Sequence, residues 1–575
     1  MPHRFFACLL LPMLAACAVR PVATVQPATP VAAAPQPAAP ASAPEPVYRP
    51  FPGATLEALL TAELAALRQQ PNLALGNYVQ QARATRDPGV VGRATTIAQI
   101  LNQPESLEMS RLWTQVAPEA SEAWFLLALN SLRARQFDVA IPALNRLLAL
   151  QPEADFEQLF LAASPSSQAD RDQLFVRLGE LARSHPDNPY LLFGQALLKA
   201  QSGKPAEALA IASAARQQRP DSVHLTLLQA KMLTELSRSK EAADLLRGAT
   251  QRNPDSHSLR LNLGRALIRA GDLNGAETEF QALVQRTPDD ESLRLNLALV
   301  ALENHHDDVA LRELETLQDS EMLGDEARYF LGMLAVRQKR TADAIRHFES
   351  VQPGNQYLPA LAEISRLLAT AGNTAEARSR LAQARAQTPE LKVALYQLEA
   401  ELLNESEQAQ SAWDLLTAAI KEQPGNAQLL LSRAMVAERL NRLDNFEADM
   451  REVLRYEPDN PTALNALGYT LADRTTRLDE AEAYIRRAID LKPDDPAIID
   501  SLGWVKFKRG DRAGALIELR KAYALFPDDE IAAHLGEVLW VLGHREEARR
   551  IWAEALRQHP RSLHIPRTRQ RLDPS

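Results

Sequence analysis

Apolar positions in the stretch from Pro461 to Pro560 recur at helical spacing and are broken at regular intervals by prolines. Three segments read Leu467-Gly468-x-x-Leu471, Leu502-Gly503-x-x-Lys506 and Leu535-Gly536-x-x-Leu539. Each is followed by a short turn and a second apolar-periodic segment carrying a small residue, Ala481, Ala515 or Ala548, and each closes on a proline, Pro493, Pro527 or Pro560. The pattern predicts two helices per unit of about 34 residues. Gly503 and Ala515 leave room for two backbones to approach where the helices of a hairpin cross, and Leu502, Leu519 and Ala522 fill the groove around that crossing. The proline stops the second helix, because it cannot donate the next backbone hydrogen bond and disfavours helix in the residue before it.

The same punctuation runs back along the chain. Pro118, Pro152, Pro186, Pro220, Pro254 and Pro288 are spaced by 34 residues. One unit near residue 322 lacks its proline, and Pro353, Pro389, Pro424 and Pro458 then lead into the C-terminal units. Small residues pair at a separation of twelve: Ala196 with Ala208, Ala230 with Ala242, Gly264 with Ala276, Ala298 with Ala310, and Gly332 with Ala344. Phe280 and Phe348 occupy a larger slot four residues after the second small residue. Gly203, Gly271, Gly372, Gly510 and Gly543 fall where the chain must reverse, at positive φ.

Over residues 121–560 this pattern resembles the tetratricopeptide repeat (TPR) family. The resemblance implies an all-α chain, a right-handed α-solenoid of antiparallel helix pairs, with roughly thirteen pairs after residue 121. Upstream, residues 51–120 hold four amphipathic segments, Leu56–Arg68, Leu73–Ala84, Val90–Asn102 and Leu107–Val116, expected to form two degenerate pairs that cap the array. Two places depart from the repeat. Residues 155–186 carry Pro165 and a Ser-rich run where a first helix belongs, predicting a shortened helix or a loop. Phe446 stands where the second small residue belongs and is expected to splay its hairpin. Residues 561–575, with Arg561, Arg567, Arg569 and Arg571, are expected to be a solvated basic tail, with capping of the last helix as the alternative.

Composition agrees with such an array and narrows its chemistry. The chain has 575 residues, too many for one compact core but suited to a core that grows by stacking. A net charge of −9 argues against a general nucleic-acid binder. The two cysteines, Cys8 and Cys17, leave no disulfide or Cys-based metal site in the body. No H-E-x-x-H, G-x-S-x-G or Walker loop occurs. His305-His306-Asp307-Asp308 has metal-like composition but falls in an inter-helix turn, where polar residues are the default. Ser237-Arg238-Ser239-Lys240 matches S-x-x-K in the same kind of position without companion motifs. Neither points to a metal or to catalysis, so the chain is expected not to be an enzyme and to need no cofactor.

The first residues carry an address. MPHRFFACLLLPMLAAC has a short basic start, an apolar stretch too short to span a bilayer as a helix, and an end, Leu14-Ala15-Ala16-Cys17, that resembles the bacterial lipobox. That resemblance implies cleavage of residues 1–16 and a diacylglycerol on the Cys17 thiol. Ala18 rather than Asp after the cysteine implies sorting to the outer membrane, with the body in the periplasm. Residues 17–50 then read as an Ala/Pro-rich tether in extended polyproline-like conformation, with a reach of up to roughly 100 Å.

With catalysis unsupported, the expected role is binding. The TPR resemblance implies that residues one and four places after the small residue of each first helix face a groove. Here those are Tyr469, then Trp504 and Phe507, then Glu537 and Trp540, with Lys231, Arg265 and, one place beyond the second such position, Arg269 in earlier units. Aromatic rings in a chain with only 5% aromatics suggest an interface, because Trp and Tyr dominate hot spots; packing between successive hairpins is the alternative. Lys231, Arg265 and Arg269 would suit acidic groups, or form an ordinary solvated face.

Lipobox, tether and long repeat body, together with the run NALGYTLADRTTRLDEAEAYIRRAIDLKPDDPAIIDSLGWVKFKRGD, resemble the LbcA-type TPR lipoproteins of Gram-negative bacteria. These partner the periplasmic C-terminal processing protease CtpA, a PDZ serine protease. The resemblance implies a scaffold that activates such a protease and presents cell-wall hydrolases to it. An assembly or secretion lipoprotein, such as a pilotin or a polysaccharide-export scaffold, is the alternative.

Overall fold

The computed structural model describes residues 50–186 and 188–572. Cys17, the lipobox and the tether therefore lie outside the described residues. Among the described residues the structure is all-α, with no strand, and it is built of successive antiparallel helix pairs. Two compact units divide at Glu313 and Leu314.

The proline ladder does more than stop helices. The residue before each proline is pulled out of helical geometry, as at Thr287 (φ −131°, ψ 71°). In many of these turns a side chain two places after the proline caps the next helix. Asn460, two after Pro458, accepts from the Ala463 amide at 3.0 Å. Asp290, two after Pro288, accepts from Leu293 at 3.1 Å, and Asn426, two after Pro424, from Leu429 at 3.1 Å. Each such cap is worth about 1 kcal/mol. One four-residue turn thus ends one helix and starts the next.

Hairpin crossings follow the small-residue pairs. A Cβ on Gly332 would lie 2.5 Å from the Phe348 ring, and one on Gly503 would lie 2.6 Å from Leu519 Cγ. Gly271, at φ +81°, reverses the chain between the two helices of its pair. In other units Ser237, Lys339 and Glu407 adopt the same left-handed geometry with a side chain attached.

In the unit that ends at Glu313, the four expected upstream segments form the helices Gly53–Leu67, Pro71–Thr85, Pro88–Ile100 and Glu105–Val116. Their core combines Ala62, Ala82, Ala94 and Ala98, all fully buried, with Leu75, Tyr78, Val79, Val90, Val91 and Met109. The irregular unit after residue 155 has the shortened helix its sequence predicts: Glu157–Ala162 has six residues, followed after a loop by Gln168–Ser184. Even so it supplies a ring to the next pair, because Phe160 packs against the bare Cα of Gly194.

In the unit that begins at Leu314, two expectations need correction. Phe446 does not stand away from its partner helix. It is fully buried among Leu430, Ala434 and Ala437, and Arg433 holds the pair with two bonds to the Asp449 carboxylate, at 2.6 and 2.9 Å. The residues after Pro560 are not a solvated tail. They form the helix His564–Leu572, whose Ile565 is completely buried against the last repeat, and Arg571 pairs with Glu537. Basic residues occupy the outer side of this helix, and Ile565 and Thr568, three apart, form the inner side. No helix of the described residues is long and apolar enough to cross a membrane.

Candidate binding site on the C-terminal helix pairs

Three successive first helices, Pro461–Arg474, Pro496–Lys508 and Asp529–Val541, line one cavity of about 390 Å³. Its walls include Asn465, Ala466 and Tyr469 from the first, Ala497 and Asp500 from the second, and Glu530 and Ile531 from the third. Phe526, in the loop before the third helix, is 55% exposed at its edge.

The wall is held by a chain of polar contacts. His534 Nδ1 lies 2.9 Å from Asp500 Oδ2, and its Nε2 lies 3.3 Å from the Tyr469 hydroxyl, which in turn donates to Glu530 Oε1 at 3.0 Å. Asp500 and His534 are both buried. Burial alone would neutralise the imidazole, but the Asp500 carboxylate beside it, with Glu530 and Glu537 further off, raises its pKa above the ordinary histidine value. Burial pushes the Tyr469 hydroxyl far above the usual tyrosine range, with the neighbouring carboxylates adding to the effect. The phenol therefore stays a neutral donor.

Behind this chain sits Trp504. Its ring stacks on the His534 imidazole with centroids 4.1 Å apart, and its Nε1 donates to Asp473 Oδ1 at 3.2 Å. Lys508 reaches the same carboxylate at 3.3 Å. At 3% exposure Trp504 offers no surface to a partner, and the expected direct contact is corrected to a packing role. Phe507 leans on Trp504 at 5.4 Å and is half-buried. Trp540 belongs to a different cluster, stacked on Trp552 at 5.8 Å with Arg545 and Arg549 over its ring. Of the aromatic candidates, Tyr469 alone lines the cavity.

The basic candidates are not gathered. Lys231 is exposed and lies 3.9 Å from Glu235 of its own helix. Arg269 lines a shallow cleft with Ser237, Arg238 and Lys240, and neither Lys231 nor Arg265 shares it. In that cleft Arg238 makes two bonds of 2.7 Å to Glu241, so the S-x-x-K residues form an ordinary ion-paired turn. His306 contacts Glu277 at 2.7 Å, and no metal-ligating cluster exists among the described residues.

The Asp500–His534 pair was missed by the sequence reading. Its trace is Asp500 in PAIIDSLGW and His534 in DEIAAHLGE, ionisable residues among the apolar positions of two first helices at a separation of 34. One repeat length brings such residues side by side.

Fold and repeat pattern define the class, and the chain belongs to the tetratricopeptide repeat proteins, which are typically non-catalytic scaffolds that bind other proteins. The family pattern matches residues 177–223, 233–299, 295–359 and 447–496. At 41% identity over 494 residues, 85% of this chain and 83% of the relative, it is similar to TPR repeat-containing protein PA4667 of Pseudomonas aeruginosa. Among solved structures, the Naa15/Naa10 complex bound to HypK-THB shares 14% identity at a TM-score of 0.31, covering 87% of this chain and all of that one. MamA 41-end from Desulfovibrio magneticus RS-1 shares 17% identity at a TM-score of 0.27, covering 28% and 92% respectively. Scores this low bear on nothing beyond the repeat.

Proposed function

We propose that this chain is a non-enzymatic adaptor of the Gram-negative envelope, moored to the outer membrane by a lipid on Cys17 with its body in the periplasm. It binds a C-terminal processing protease of the CtpA type, promotes its active form and presents cell-wall hydrolases to it, as the LbcA-type resemblance implies. A common scaffold raises the local concentration of protease and substrate without performing chemistry itself.

The observation that carries this reading is the cavity across three successive first helices, with the exposed Phe526 ring at its rim and a fixed Tyr469 hydroxyl in its wall. Apolar walls with a few fixed polar groups suit a protein segment. The mobility cost of ordering this wall is already met by the Asp500–His534–Tyr469 contacts, so a bound segment gains from preorganisation.

A photo-crosslinking residue placed at Phe526 in the full chain in cells is the test. Adducts with a PDZ-containing serine protease or with cell-wall hydrolases are expected. Adducts with pilus or polysaccharide-export components, or none, would contradict the assignment. Separately, Cys17→Ser should move the protein from the membrane to the soluble fraction, and continued sedimentation with outer membranes would refute the lipid anchor.

A further inference from the structure

The first described helix, Gly53–Leu67, turns its core side inward through Thr55, Ala62 and Ala65. Its opposite side is a row of leucines. Leu56, Leu60, Leu64 and Leu67 are 50%, 56%, 52% and 79% exposed, and their spacings of four, four and three place them on one stripe. Leu73, just past the following turn, is 50% exposed as well. The terminal pair of a repeat array is where a polar outer face is expected. Among the described residues nothing covers this stripe, and an apolar stripe of this length marks an interaction surface.

Three features say what covers it. The first is symmetry: an antiparallel copy centred on Ala62 sets Leu60 opposite Leu64, and brings Leu56 to within one residue of Leu67 and Glu57 to within one residue of Arg68. A two-fold contact needs that kind of self-complementarity. The second is charge. Glu57 and Arg68 flank the stripe, and neither side chain has an ion-pair partner among the described residues. The third is area. Two such stripes remove roughly 1,000 Å² of apolar surface, the lower bound for a specific interface. A bilayer fits less well, since surface-lying helices present a face rich in Lys and Arg, and this helix carries Glu57 and Glu63.

We propose that the leucine stripe of Gly53–Leu67 is a homodimer interface, in which two copies of this chain pair their first helices antiparallel about Ala62.

Light scattering on the purified full chain over a range of micromolar concentrations tests this. The wild-type chain is expected to show a reversible monomer–dimer equilibrium. Leu60→Glu with Leu64→Glu should weaken association by about a hundredfold, since each copy would bury unpaired carboxylates. Helical circular dichroism and melting temperature should stay unchanged, because both leucines are exposed. Glu57→Arg should weaken the dimer, and adding Arg68→Glu should restore it. A wild-type chain that stays monomeric throughout, or a dimer that survives the double leucine change, overturns the proposal. So does a charge reversal that the second change fails to rescue.

Discussion

The N-terminal helices from Gly53 to Val116 and the C-terminal helices from Pro461 to Leu572 are built from the same hairpin and finished differently. At the C-terminal end the last repeat is closed by an additional helix that buries Ile565, and its core holds large rings, with Trp552 packed against the bare Cα of Gly536. At the N-terminal end alanines are mixed with Leu75, Tyr78, Val79, Val90, Val91 and Met109, Trp113 packs against the bare Cα of Gly92, and the outermost helix leaves its leucines in solvent. A repeat fixes how neighbours stack but leaves open what meets the final apolar surface. One end answers with its own chain; the other awaits a second molecule.

The largest effect should come from the C-terminal core. Trp552→Ala removes a fully buried indole and is expected to cost about 3–5 kcal/mol in chemical denaturation. Ala62→Gly in the N-terminal core should cost about 1 kcal/mol, mostly through backbone entropy. A loss at Ala62 as large as that at Trp552 would contradict this ranking.

Breaking the polar frame comes next. His534→Leu leaves Asp500 buried without its partner and should cost about 3 kcal/mol, whereas combining it with Asp500→Leu should recover most of that loss. The pair also sets a pH signature. Since the folded ring binds its proton more tightly than the unfolded one, its stabilisation is complete below the ordinary histidine pKa of about 6.5 and disappears as pH rises through the raised folded value. Denaturation midpoints of the wild type should therefore fall towards those of the His534→Gln variant as pH rises above the ordinary histidine value. A gap that widens with pH would show that the buried ring is neutral.

Smaller still is the contribution of the closing helix. Ile565→Ala should cost about 2 kcal/mol, at the low end for a buried isoleucine because the site lies at the end of the stack. Smallest is a change at a turn: Lys339→Gly, at φ +60°, should stabilise by about 1 kcal/mol or less by relieving the left-handed geometry. A loss of stability there would mean that the lysine side chain contributes contacts that outweigh the backbone strain.

The helix pairs were legible in the sequence because prolines, caps and small residues answer to backbone geometry, which repeats with the unit. The shortened helix after Asp155 was legible for the same reason, since Pro165 interrupts the pattern. Direction was harder to read. Gly53–Leu67 carries leucines on one side and alanines on another, so periodicity located the helix without showing that the face of Ala62, not the leucines, would be buried. Trp504 stood out by residue type, but a large ring is also what neighbouring hairpins use to fill space, and the structure buries it there. The Asp500–His534 contact joins residues one repeat apart, and it emerges only when two units are laid side by side. The final helix was obscured by its arginines, because charge counts register the outer side and miss Ile565.

Blocking the cavity tests the adaptor reading most directly. Ala497 is exposed, lines the cavity and supports no core contact, so Ala497→Trp fills the space while leaving the fold alone. Capture of the processing protease from solubilised membranes by the full chain should fall at least tenfold, about 1.4 kcal/mol, with the melting temperature unchanged. Undiminished capture by a variant that melts like the wild type would place the partner elsewhere and contradict the account.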